Sequence, residues 1–222
     1  MTRDQIIVVS ERPVHVTPFR APGDAPRPAV LLLHGSLDFT HQMPGYTRFA
    51  GALAASGLDA YLVHYYSGAD LTGIHTGQNM FAVRLPAWSK LVSEVAGAVA
   101  KAPNCTGKVG LIGFSNGGLL AVAVTAQDPR FAAAVIYYGG MPKLAQSDIK
   151  RLPPLLIFHG DADKAMPTKT SEILADRARR IGAPCEMVVY PGEAHDFAMR
   201  RSEATTDALA RTVTFLQQNL QG

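Results

Sequence analysis

Residues Gly113-Phe114-Ser115-Asn116-Gly117 spell G-x-S-x-G. A serine hydroxyl is a weak nucleophile at neutral pH, so such a serine does acyl-transfer chemistry only beside a base that is itself oriented by an acid. Two downstream segments offer those partners: His159-Gly160-Asp161-Ala162-Asp163 and Pro191-Gly192-Glu193-Ala194-His195-Asp196-Phe197. The order Ser, then Asp or Glu, then His is the one that accompanies a nucleophile elbow. The residues alone leave Asp161 and Asp163 both open as the acid. By chance the five-residue pattern turns up in roughly one chain in ten or twenty of this length, so its context decides.

That context is a strand running into a helix. Residues 109–114 are continuously apolar and lead straight into Ser115, and the small, apolar stretch 116–127 follows with helical character. Similar apolar runs at 29–33, 61–63, 133–138 and 155–158, with a further strand at 185–190, read as strands covered on both faces of a parallel sheet. Between them Trp88, Val92, Val95 and Val99 recur at helical spacing, as do Leu174, Ala178 and Ile181, and Leu209, Val213, Leu216 and Leu220. Alternating strands and helices predict an α/β fold with a mostly parallel, doubly wound sheet. Residues 5–18 alternate and predict an antiparallel edge hairpin. Both aspartates and His195 then fall at the C-terminal ends of strands, where open α/β sheets bind their ligands.

The 222 residues, 47% of them hydrophobic, predict one domain over 1–222. A net charge of +3 is spread thinly, and Arg177, Arg179 and Arg180 read as a solvated helix face, so neither nucleic acid nor a membrane is expected as a partner. Cys105 and Cys185 form no ligand or disulfide pattern, and residues 1–10 lack a signal-type apolar segment, which predicts a cytoplasmic protein. His15, His41, His64, His75 and His159 show no metal-ligand spacing, so no metal and no cofactor are expected. A monomer or a homodimer is expected.

The motifs in combination, HG at 34–35, GFSNGG at the elbow, HGDADKAMP from His159 and YPGEAHDF from Tyr190, resemble the dienelactone hydrolase family of the α/β-hydrolases. The resemblance runs from about Ala29 to the C-terminal helix. It implies the α/β-hydrolase fold, with Ser115 as nucleophile, Asp163 rather than Asp161 as acid and His195 as base. Asp161 is then a turn residue bonding within its own loop. The oxyanion hole is expected from the backbone N–H of Asn116 and, by the family pattern, of Ser36, with Leu37 as the alternative. His34 braces that loop. The family's namesake has a cysteine nucleophile where Ser115 stands, a glutamate where Gly35 stands and an arginine where Met199 stands. The resemblance therefore implies its hydrolytic class without its carboxylate-bearing substrate.

The expected activity is cleavage of a small-molecule ester or lactone through an acyl-enzyme. A thioesterase, a small peptidase-like acyl hydrolase and a non-catalytic pseudo-hydrolase are the alternatives. Tyr65, Tyr66 and Arg84 are candidates for the substrate pocket; Trp88 reads as core and Arg84 also as a surface charge. Residues 139–154 are too short for a helical cap domain, leaving the mouth to small loops at 37–46 and 68–85. That predicts short acyl groups, acetate to butyrate.

Overall fold

The structure is a computed structural model that describes residues 5–9, 12–35, 39–66, 70, 80–142 and 149–221. Its strands are β1 (Gln5–Val9), β2 (Arg12–Phe19), β3 (Arg27–Leu33), β4 (Asp59–Val63), β5 (Cys105–Phe114), β6 (Phe131–Tyr137), β7 (Leu155–Gly160) and β8 (Cys185–Tyr190). Its helices are α1 (Phe39–Ala55), α2 (Met80–Ala100), α3 (Asn116–Gln127), α4 (Lys169–Arg180) and α5 (Glu203–Leu220), with a 3₁₀ turn at Phe197–Met199. The eight strands form one sheet in the order β1-β2-β4-β3-β5-β6-β7-β8. The β1–β2 hairpin is antiparallel, as is the β2–β4 pair, and every other pair is parallel.

Period-two alternation with both faces covered explains the unbroken apolar strands. Ala29, Leu31 and Leu33 of β3 share one core layer with Trp88, Val92 and Val95 of α2, Leu120 of α3 and Leu174 of α4. Val30 and Leu32 point the other way, to Phe49 and Leu53 of α1 and Leu216 of α5. Each fully buried side chain of this size contributes about 1.5–3 kcal/mol. From β3 the chain crosses to β4 on one side and then returns to β5 on the other, so the winding reverses between β3 and β5. Crevices for ligands form outside the carboxyl ends of strands at such a reversal. Ser115 follows β5, and Gly35 lies just beyond the end of β3.

Two expected loops turn out to be helical in part. The stretch 37–46 is helix from Phe39, and 68–85 is helix from Met80. Pro44 and Pro86 sit inside these helices, although proline lacks the backbone donor a helix interior uses. Gly45 is needed there: a Cβ on it would lie 2.5 Å from Met199 Sδ, so the glycine lets α1 rest on the turn that follows His195.

Candidate active site

Ser115 sits at φ 53°, ψ −119°, a conformation costly for a residue with a side chain. The surroundings impose it. Its N–H donates to Tyr137 O on the neighbouring strand (3.0 Å), while its carbonyl already accepts from Gly118 (2.8 Å) and Leu119 (3.1 Å) to start α3. Strand and helix therefore meet at one residue. A Cβ on Gly113 would lie 2.2 Å from Gly117 O, and one on Gly117 would lie 2.3 Å from Leu33 O, so only glycine at both positions permits so tight a junction.

The hydroxyl so presented donates to His195 Nε2 at 2.9 Å, and His195 Nδ1 donates to Asp163 Oδ2 at 2.6 Å. A carboxylate acceptor at Nδ1 assigns the ring proton there and leaves Nε2 free to accept. The Asp163 side chain is wholly buried, and its Oδ1 accepts from the backbone N–H groups of Ala165 (2.9 Å) and Met166 (2.8 Å). His159 stands behind it. Its Nε2 lies 2.8 Å from Met166 O and 3.2 Å from Asp163 Oδ2, both acceptors, so that nitrogen carries a proton. Burial pushes the His159 pKa down, against the partial opposition of Met166 O and Asp163.

Asp161 differs from expectation in its partner. Its Oδ1 accepts from Gly192 N at 2.6 Å, on the loop after β8, so it joins the two loops rather than closing its own turn. Ala162 N donates to Glu193 O at 3.0 Å in the same seam. The cause is the parallel pairing of β7 with β8, which brings both loops out side by side.

Helix α1 connects the remaining pieces. Tyr46 Oη accepts from Gly35 N (2.9 Å) and donates to Gln42 Oε1 (2.8 Å); Gln42 also lies close enough to the Asp196 carboxylate to favour its charged form. Arg48 Nη2 donates to Ala198 O and Arg200 O, each at 2.8 Å. One helix thus holds both the loop after β3 and the turn after His195. Asp196 takes the left-handed conformation (φ 61°), and its Oδ1 lies 3.9 Å from His195 Nε2. Burial, followed by the nearby Asp163 charge, raises the Asp196 pKa against the pull of His195.

Ser36 and Leu37 lie outside the described residues. Asn116 is the first residue of α3, next to Ser115. Gly35 N–H is committed to Tyr46. His34 is buried, with Nδ1 2.7 Å from Gly35 O and its ring stacked on Tyr65 at 4.3 Å. Desolvation lowers its pKa to about 4, so it is neutral at pH 7. Tyr65 does not reach the rim: it is fully buried between His34 and Trp88 and donates to His34 O at 2.8 Å. Tyr66 is half-buried, lies edge-on to His34 at 4.8 Å, and burial raises its pKa, with the Asn116 side chain among the groups that oppose the rise. Arg84 pairs with the buried carboxylate of Asp70. Tyr46, Gln42 and Asp196 escaped the sequence reading. Asp196, adjacent to His195 and of a type that tolerates φ > 0, was the one with a visible signal.

Comparison with known proteins agrees with this geometry at the level of family. The dienelactone hydrolase family model matches residues 73–220, more than half of the chain, and the chain belongs to that family. A provisionally named carboxymethylenebutenolidase of Methylorubrum extorquens is 31% identical over a segment covering 49% of this chain. That segment spans only 42% of the relative's length. Among solved structures, a provisionally named dienelactone hydrolase from Klebsiella pneumoniae superposes with a TM-score of 0.81 at 22% identity, covering 98% of both chains. An esterase of Thermogutta terrifontis superposes with a TM-score of 0.72 at 18% identity, covering 98% of this chain and 92% of its own. These superpositions establish the α/β-hydrolase fold. Among the described residues no helix is long and apolar enough to cross a membrane.

Proposed function

We propose that the chain is a serine ester hydrolase that cleaves small carboxylic esters or lactones, with Ser115, His195 and Asp163 as its catalytic triad. The observation that carries this reading is the continuous bond chain from Ser115 Oγ through His195 to Asp163, built on an elbow serine held at φ 53°. Family membership supports the same class. A Thermogutta terrifontis esterase with this fold is phosphorylated by paraoxon.

In this mechanism His195 Nε2 takes the proton from Ser115 as Oγ attacks the carbonyl carbon, and Asp163 stabilises the imidazolium. The carbonyl oxygen, now anionic, is met by the backbone N–H of Asn116 and by one from Ser36 or, failing that, Leu37. The bond to the alcohol oxygen breaks, and His195 returns its proton to that oxygen. Water then attacks the acyl-serine with His195 again as base, releasing the acid and restoring Ser115. We read residues 1–222 as a single hydrolase domain acting on a small-molecule substrate in the cytoplasm.

The test is Ser115→Ala. Turnover of p-nitrophenyl acetate should fall by several orders of magnitude with the circular dichroism unchanged, and labelling by a fluorophosphonate should vanish. A folded variant that keeps a tenth of the wild-type kcat/KM removes Ser115 from the role.

A further inference from the structure

Beside the candidate triad lies a cleft of about 400 Å³, walled by Phe81 and Leu85 of α2, Leu119 of α3, Met141 after β6, and Met166 and Pro167 of the Asp163 loop, with Asn116 also in its lining. Resting on the esterase reading above, we infer that this cleft binds the acyl group and that the enzyme's substrates are uncharged esters with an apolar acyl chain of about six carbons, or an aryl acyl group of similar size.

Position, size and charge carry the inference. Asn116, the residue whose N–H faces the developing oxyanion in the proposed mechanism, is itself a lining residue, so an acyl chain leaving the carbonyl has this wall next to it. For scale, an apolar cavity of about 150 Å³ accommodates benzene, so the space exceeds what acetate or butyrate can fill. The short 139–154 connection bears only on a cap above the site, whereas this cleft lies between α2, α3 and the acid loop.

The wall is also part of the acid's support. Ala165 and Met166 border the cleft, and their N–H groups hold Asp163 Oδ1 (2.9 and 2.8 Å). A chain packed against Met166 therefore presses on the cradle that positions the acid, which ties a good apolar fit to kcat as well as to KM.

Charge excludes the namesake's type of ligand. The carboxylate of Asp196 lies 3.9 Å from His195 Nε2, at the edge of the reacting atoms, and repels an anionic acyl group. Arg84, one turn along α2 from Phe81, is committed to the buried carboxylate of Asp70.

The experiment uses the purified full chain and p-nitrophenyl acetate, butyrate, hexanoate and hemisuccinate, the last being a carboxylate-ended counterpart of butyrate. Each methylene buried is worth about fourfold in kcat/KM, so hexanoate should exceed acetate at least tenfold, and butyrate should exceed hemisuccinate at least tenfold. Leu119→Trp, which fills the cleft, should bring the hexanoate-to-acetate ratio below three. Ala82→Phe, on the outer lip, should lower the same ratio if the tryptophan variant does not fold. Asp196→Asn should narrow the butyrate-to-hemisuccinate ratio severalfold. A wild type that turns over acetate and takes the fluorophosphonate, yet prefers acetate or treats hemisuccinate like butyrate, overturns the inference and leaves the esterase reading standing. A wild type that hydrolyses none of the four and is not labelled overturns both.

Discussion

The two halves of the candidate site are held by different means. On the acid and base side, backbone bonds sew the loops after β7 and β8 together, Asp161 N to Tyr190 O (3.2 Å) and Ala162 N to Glu193 O (3.0 Å), and two N–H groups of its own loop hold Asp163 Oδ1. On the oxyanion side, the described part of the loop after β3 hangs on two phenols, Tyr46 on Gly35 N and Tyr65 on His34 O. A backbone seam follows from strand pairing and survives the loss of one bond. A side-chain strut depends on a single residue brought from elsewhere in the chain.

The largest effect expected from this contrast is within the sewn half, where Asp163 and Asp161 occupy one turn but do different jobs. Asp163→Asn places an amide where His195 Nδ1–H and two backbone N–H groups all need acceptors, which should cost on the order of 10⁴ in kcat. Asp161→Asn retains a carbonyl oxygen for Gly192 N and should cost less than tenfold. Steady-state kinetics of the two purified variants decides, and the reverse ranking would move the acid to Asp161.

Next comes the histidine of the suspended half. Desolvation holds His34 at about 4 in the folded state, whereas an exposed imidazole titrates near 6.5. Between those values the unfolded chain binds the extra proton, so stability falls as the pH drops from about 6.5 to 4. The loss from this residue is on the order of 3 kcal/mol. Urea denaturation at pH 7 and pH 4.5 should show the decline, and His34→Gln should flatten it. An equal slope in the variant would assign the acid sensitivity elsewhere.

Tyr46→Phe removes the strut itself. Gly35 N–H then loses its acceptor beside the nucleophile, a penalty of about 1–3 kcal/mol for a buried donor. The expected result is a fall in kcat of roughly tenfold with KM changed by less than twofold, because the loop it positions serves the transition state more than substrate binding. A change confined to KM would make the strut part of substrate binding instead.

The same contrast explains what was legible in the sequence. The sheet, its edge hairpin and the turns carrying Ser115, Asp163 and His195 follow from apolar runs and from turn residues adjacent to them, so a local reading finds them. Tyr46 had no such signal. It lies in a stretch interrupted by Pro44 and Gly45, and its importance arises only when α1 folds back across Gly35, Asp196 and the turn after His195. Tyr65 was misplaced for a related reason: strand position sets which end of the sheet a residue reaches, but packing against Trp88 and His34 sets whether it faces the rim or the core. Asp161 was assigned the right kind of bond and the wrong loop, since a partner 31 residues away is invisible to turn chemistry.

Tyr138 provides the sharpest test, because Tyr138→Phe makes the same chemical change as Tyr46→Phe and should have the opposite outcome. The Tyr138 ring packs edge-on to His195 at 4.8 Å and to Phe197 at 5.6 Å, and these contacts need only the ring. Its hydroxyl is buried with no hydrogen-bond partner among the described residues, and burial drives its ionisation well above the usual phenol range. Burying an unpaired hydroxyl costs about 1–3 kcal/mol, and deleting it removes that cost while leaving only an oxygen-sized gap. Tyr138→Phe should therefore leave Tm unchanged or raise it by a few degrees, with kcat and KM for p-nitrophenyl acetate within twofold of wild type. Thermal unfolding and steady-state kinetics on the one variant measure both. A tenfold loss of kcat at unchanged Tm would mean that the hydroxyl meets the substrate or a water bound to His195, and Tyr138 would then join Tyr46 as a residue whose oxygen, and not only its ring, serves the site.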